Sequence, residues 1–160
     1  MRFSDRPFVA SDAPYVVATH LLEHAKGFVS APPTEQQVIE SLQAPNVRRR
    51  IVLDEHSERA GLWMAKDHEG WLVEIGLIVA QVPRKGIGRF ALRSALQWAF
   101  GEIGAHRVWL EVVASNVPAR TLYESEGFLL EGTYRDGFRR PDKTYEDLMH
   151  YGLLRSEWNP

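Results

Sequence analysis

Seven consecutive residues, Pro83-Arg84-Lys85-Gly86-Ile87-Gly88-Arg89, combine two closely spaced glycines with three cations. Glycines let a backbone approach a ligand closely. The first amides of a helix point outward unpaired, and the helix dipole favours negative charge there. The chemistry such a turn suits is capture of a pyrophosphate. It is not a Walker loop, because the Gly-Lys-Ser/Thr ending is missing. It is not a dinucleotide fingerprint either: the third glycine position is Ala91, and no acidic ribose ligand follows about 20 residues on. An ordinary strand-to-helix turn with solvated cations would read the same way. Further along, Asn116 and Tyr123 stand seven apart, nearly two helical turns, so an amide and a phenol can share one face and together hold and protonate a ligand. Taken singly, Asn116 also reads as a helix cap and Tyr123 as a packing residue. A third signal is His20-Leu21-Leu22-Glu23-His24, the H-x-x-E-H pattern of inverted zinc proteases, with two histidines one helical turn apart. A pattern this short arises readily by chance, and its plainer reading is a helix beside a ligand cleft or on the surface.

The elements that must position these residues can be read from periodicity. Residues 2–10 hold a short strand around Phe3, Phe8 and Val9. Ser11-Asp12-Ala13-Pro14 starts a helix through His24 that Gly27 ends. After the break Ala31-Pro32-Pro33, Thr34 and Gln37 form a capping box for a helix through Leu42. Apolar runs at 47–53, 60–65 and 71–80, joined by short polar turns, read as an antiparallel meander. A helix follows over 86–104, a strand over 107–113, a helix over 118–126 ended by Gly127, and a strand over 128–134. Arg135 to Lys143 reads as a basic loop and 144–154 as a last strand. A strand-helix-strand unit within a meander implies an α+β fold in three α/β/α layers. Its central sheet is mixed and mostly antiparallel, with about seven strands and helices on both faces.

Composition narrows the function classes. The chain has 160 residues, enough for one domain spanning 1–160. With 44% hydrophobic residues and a net charge of −2, it is not a disordered chain. That charge balance disfavours nucleic acid as a main partner. Cysteine is absent, which removes disulfides, Cys-ligated zinc and a Cys nucleophile, and fits a reducing cytoplasm. No apolar run nears the roughly 18 residues of a membrane span, and the N-terminus lacks a signal-peptide layout. The expectation is a cytoplasmic protein with no membrane partner. Arg48-Arg49-Arg50 alternates across a strand and so makes no single basic patch; its plain reading is solvated sheet positions.

A basic glycine turn, a helix, a strand ending Leu110-Glu111-Val112, and then N-x-x-A-x-x-L-Y-x-x-x-G-F from Asn116 to Phe128 form a specific arrangement. It resembles the GNAT superfamily of acyl-CoA-dependent N-acetyltransferases, in detail from Trp71 to Phe128 and in element order over nearly the whole chain. The ending resembles the branch that acetylates ribosomal proteins and small amines: Glu131-Gly132-Thr133-Tyr134-Arg135, Tyr145-Glu146-Asp147-Leu148, then Tyr151-Gly152-Leu153-Leu154 before Glu157-Trp158. The resemblance implies acetyl-CoA as cosubstrate and a small-molecule amine or protein N-terminus as acceptor, with a homodimer as a candidate assembly. It implies that Arg84, Lys85, Gly86, Ile87, Gly88 and Arg89 hold the pyrophosphate. Ile78 and Val79 would pair with the pantetheine arm, Asn116 would bind that arm from the other side, and Tyr123 would act as general acid at the sulfur. The family pattern usually has Gln or Arg where Pro83 stands and glycine where Arg84 stands. A basic residue often follows the tyrosine, where this chain has Glu124-Ser125-Glu126. That leaves Arg89 and Arg120 as candidates for the adenosine 3′-phosphate.

Acetyl transfer needs a base for the ammonium, a donor for the oxyanion and a proton for the thiolate. Backbone amides near Ile78 suit the oxyanion. Glu74 is the first candidate base: simple alternation puts it on one face with Gly76 and Ile78, and an apolar strand tends to raise a carboxylate's pKa. Its plainer reading is an ion pair with Arg49 or Arg50. Glu111 on the neighbouring strand is the second candidate. The functional expectation is therefore direct transfer of acetyl from acetyl-CoA to a primary amine, with a non-catalytic acyl-CoA-binding module as the alternative.

Overall fold

The computed structural model describes residues 2–25 and 32–159; Gly27 and Ala31 lie outside them. Strand β1 (Ser4–Pro7) leads through a 3-10 turn to α1 (Ala13–His20). Helix α2 (Glu35–Glu40) starts at the expected capping box: Thr34 Oγ1 accepts from the Gln37 amide at 3.2 Å, and Gln37 Oε1 accepts from the Thr34 amide at 2.8 Å. The meander follows as β2 (Val47–Leu53), β3 (Arg59–His68) and β4 (Leu72–Ala80). Then come α3 (Ile87–Leu96), β5 (Arg107–Val113), α4 (Val117–Ser125), β6 (Leu129–Arg139) and β7 (Tyr145–Leu154).

One seven-stranded sheet runs β1-β2-β3-β4-β5-β7-β6. Among the described residues only the β4–β5 pair is parallel. Adjacent residues of each central strand serve different cores, because helices cover both faces. Ile51, Leu62 and Val79 pack with α1 and α2. Val52, Trp63 and Val108 pack with α3 and the segment after it. The expected mixed sheet in three layers is what the chain forms.

Three local differences have physical causes. Helix α3 widens into a π-helical segment, Gln97–Ile103, before Gly104 ends it in the left-handed region. Three successive residues there, Trp98, Ala99 and Phe100, are buried. A regular helix turns about 100° per residue, so it would expose one of the three. Here Trp63 covers Trp98 and Trp158 covers Phe100. Secondly, the segment read as a basic loop is largely strand, since β6 runs on to Arg139 and pairs there with Tyr145. Arg140 is bound to Glu146 and Ser115. Thirdly, β4 carries a bulge: Ala65 pairs with Ile75 and Met64 with Leu77, leaving Gly76 as the extra residue.

Candidate active site

The bulge decides which residues of β4 share a face. One extra residue reverses the alternation beyond it. Val73 and Ile75 face the α3 core, and so does Ile78, whereas Val79 joins the α1–α2 core. Glu74 and Gly76 stay on one face, where a Cβ added at Gly76 would meet Met64 and Glu74; Ile78 is turned to the other, against simple alternation.

The same stretch opens the sheet. β4 pairs with β5 only at Leu72/Arg107, Val73/Val108 and Glu74/Trp109. Beyond that row the two strands diverge, so β4 from Ile75 and β5 from Leu110 present unpaired inner edges to a wedge-shaped gap. Unpaired backbone donors and acceptors on an extended edge are what an extended amide-bearing chain can bind.

The glycine turn stands at the mouth of this gap, at the end of β4. Gly86 is the N-cap of α3 with φ +84°, and no side chain caps the helix. The first intrahelical bond reaches back from the Phe90 amide to Gly86 O at 3.0 Å, which leaves the earlier amides for a ligand. Arg84, where the family pattern has glycine, adopts φ +63°. The left-handed conformation that glycine takes freely is therefore kept by a residue that pays roughly 1 kcal/mol for it. Arg84 and Lys85 are exposed, and among the described residues no carboxylate pairs with either. Arg89 is committed to α4, donating to Ser125 Oγ at 3.1 Å and pairing with Glu126 at 3.3 Å. Arg120 is committed too, to Tyr151 Oη at 3.2 Å and Ala114 O at 2.9 Å. The two arginines considered for the 3′-phosphate thus each have a structural partner.

Asn116 caps α4, its Oδ1 accepting from the Ala119 amide at 3.3 Å. Its side-chain NH2 makes no hydrogen bond among the described residues. Tyr123 lies nearly two turns further along α4, its ring between Phe128 (6.0 Å) and Tyr151 (6.2 Å, edge-on). Its hydroxyl has no partner among the described residues, and burial pushes its pKa up to about 12.

Glu74 pairs with His68, Nε2 to Oε2 at 3.1 Å, rather than with Arg49 or Arg50. Arg50 binds Asp5 at 2.7 Å, and Asp5 also accepts from Trp63 Nε1. Glu111 lies two residues beyond Trp109 on the far side of the gap, 3.4 Å from His150 Nδ1; His150 stacks on Trp109 at 5.1 Å. Since Glu74 and Trp109 are register partners across a parallel pair, both carboxylates are on one face of the sheet.

That face also holds a cavity of about 340 Å³ between α1, α2 and the strands β2 and β3. Phe8, Val16, His20, Ile51, Leu62 and Met64 line it, together with Arg49. Sequence reading missed Arg49, which was expected to be solvated and is half-buried here. It also missed His68. Nothing in a linear pattern marks a residue whose role depends on a cavity roofed by distant helices. The histidine pair does not form one helix face: α1 ends at His20, whose Nδ1 bonds Val16 O, and His24 follows in a turn, bonded to Ala80 O at 2.8 Å.

A mixed sheet splayed at its parallel β4–β5 pair, with an uncapped glycine turn at the end of β4, is the frame of a protein that binds an extended, phosphate-bearing chain. The chain belongs to the GNAT acetyltransferase family, whose model matches residues 19–128 and whose acyl donor is acetyl-CoA. A Bacillus subtilis protein provisionally named ribosomal N-acetyltransferase YdaF is 34% identical over 108 residues; the match covers 66% of this chain and 51% of that relative. Among solved structures, spermidine N-acetyltransferase from Vibrio cholerae in complex with CoA and spermine aligns with a TM-score of 0.85 at 21% identity, covering 97% of this chain and 96% of the other. A dodecameric form of that enzyme aligns at 0.81 and 22% identity, covering 96% and 94%. At those identities the likeness is one of fold. Among the described residues no helix is long and apolar enough to cross a membrane.

Proposed function

We propose that this chain transfers acetyl from acetyl-CoA to a primary amine by direct attack through a tetrahedral intermediate. The observation that carries this reading is the gap beyond Glu74/Trp109, bordered at one end by the free amides of α3. The turn fits a pyrophosphate: a left-handed Gly86, an uncapped helix start and two unpaired cations lie together. Amides of Gly86, Ile87 and Gly88 would hold it, with Arg84 and Lys85 supplying charge at the phosphates. This assigns the 3′-phosphate to Arg84 and Lys85 rather than to Arg89 or Arg120. Ile78 and Val79 would offer the strand edge for the pantetheine arm, and the free NH2 of Asn116 would bind that arm from the other side. The cysteine-free composition fits a cytoplasmic setting. Exposed Leu129, Leu130 and Tyr134 on edge strand β6 suit pairing with a second copy.

Glu74 takes the base role in this reading. It stands in the last paired row before the gap, on the face that holds the cavity, and His68 orients it. Glu111 already shares His150 with Glu131 and lies across the gap. Glu74→Gln is expected to lower amine-dependent release of CoA thiol by about 10²-fold or more. Glu111→Gln should change it only a few-fold. If the two variants rank the other way, the base is Glu111.

Calorimetric titration with acetyl-CoA, with ATP and NAD as controls, followed by thiol release over an amine panel, tests the whole reading. Selective acetyl-CoA binding with thiol release is the expected result. Binding without release to any amine would leave an acyl-CoA-binding module, and no binding would end the reading.

A further inference from the structure

The three consecutive arginines of β2 have different fates. Arg48 lies 3.5 Å from Glu102 and Arg50 lies 2.7 Å from Asp5. Arg49, turned to the opposite face, has no carboxylate among the described residues, although it is half-buried. Residues 26–31 read Lys-Gly-Phe-Val-Ser-Ala, so that segment has no carboxylate to offer. Burial lowers the guanidinium's pKa, the mark of a cation held partly out of water without compensation. A charge in that state is costly unless something anionic arrives to pair with it.

What arrives must also fill an apolar space. Phe8, Val16, Ile51, Leu62 and Met64 line the cavity beside Arg49. Arg49 is the register partner of Met64, and Met64 of Leu77, so the Arg49 Cα and the β4 backbone are two strand spacings apart, about 10 Å. Glu74 lies outside that lining, beyond Met64 on the β4 side of the same face: a Cβ on Gly76 would lie 3.2 Å from Met64 Cε and 3.9 Å from Glu74 Oε1. The face therefore offers a cation at one end, a carboxylate at the other and an apolar wall between them.

We propose that the acceptor is a small apolar amine that carries a carboxylate, and that Arg49 holds this carboxylate while the amine is presented at Glu74. This rests on the acetyl-transfer reading for the amine end alone. A bidentate guanidinium–carboxylate contact inside an apolar cavity gives orientation as well as affinity. A polyamine would bring a second cation against Arg49 and is selected against.

The test uses the full chain and two readouts. N-acetyl-L-leucine, N-acetyl-L-methionine and N-acetyl-L-phenylalanine are titrated calorimetrically without acetyl-CoA, each against its carboxamide. Thiol release is then measured with the free amino acids, their amides and spermidine. At least tenfold tighter binding of the acids is expected in the wild type. That preference should fall to within twofold in Arg49→Met and be partly kept in Arg49→Lys. Equal binding of acid and amide, no binding of any acid, or a preference that survives Arg49→Met would overturn the proposal. So would faster turnover of amides or spermidine, which would leave acetyl transfer itself intact. Acid-selective binding without thiol release would instead sink acetyl transfer and leave the Arg49 subsite standing.

Discussion

Tyr123→Phe is expected to lower kcat by about 10²- to 10³-fold while changing the Kd for acetyl-CoA by no more than about twofold. The ring stays wedged between Phe128 and Tyr151 in the variant, so packing is kept and only the hydroxyl is lost. That hydroxyl has no other hydrogen bond among the described residues and is free to point at a ligand. With its pKa pushed up to about 12, it carries its proton at every pH at which the enzyme would be assayed. It is a donor to the sulfur as negative charge builds there. An ordinary thiol near 8.5 is the stronger acid, so the hydrogen bond supplies most of the effect and complete transfer follows only as far as burial raises the thiol too. The rate should show no alkaline decline from this group below about pH 11. Stability gives a second, independent readout. A phenol that ionises near 10 unfolded and near 12 folded contributes stability fully below pH 10, and this is lost as pH rises from 10 to 12. The loss amounts to roughly 2–3 kcal/mol. Tyr123→Phe should therefore resist unfolding at pH 11 better than the wild type, while being catalytically poor at pH 8. Undiminished turnover in the variant would remove Tyr123 from the chemistry.

Local chemistry made much of this molecule legible before its structure. The capping box at Thr34 and Gln37, the left-handed Gly127 after α4 and the glycine turn at Gly86 are all set by a few adjacent residues, and each forms where its residues stand. The strand order was legible because alternating and 3.6-period runs differ plainly. The face assignments were less so. Gly76 gives no sign in sequence that it is an extra residue, because a bulge depends on which residue of β3 pairs with which of β4. That single insertion sends Ile78 to the opposite face from Glu74. Arg49 was illegible for a related reason. Alternation separates it from Arg48 and Arg50, yet only the covering of that face by α1 and α2 makes it half-buried instead of solvated. Asn116 shows both of its readings at once: its Oδ1 caps α4, and its NH2 is left for another partner. A capping role and a binding role are not alternatives when they use different atoms of one amide.

Gly61→Ala carries the largest expected cost to the fold. A Cβ there would meet the carbonyl oxygen of Val79 at 2.5 Å and Ile87 Cγ2 at 2.9 Å. The first contact is to backbone, and Ile87 is a buried side chain that opens α3, so neither can move aside alone. The added methyl would drive the tip of β4 away from the start of α3, the two elements that frame the glycine turn. Overpacking of this kind costs about 3 kcal/mol at its upper range. For a chain of this size that lowers Tm by roughly 6–12 °C. Gly132→Ala is the control, because a Cβ at Gly132 meets nothing within 4 Å and its effect should stay within about 0.5 kcal/mol. The loss at Gly61 should appear in ligand binding as well as in melting. With α3 displaced, its free amides no longer converge with Gly86, and folded Gly61→Ala protein should bind acetyl-CoA at least tenfold more weakly than Gly132→Ala does. Equal melting temperatures for the two variants would mean that β3 does not press on the turn. A lowered Tm with unchanged acetyl-CoA affinity would separate the packing of Gly61 from the geometry of the site.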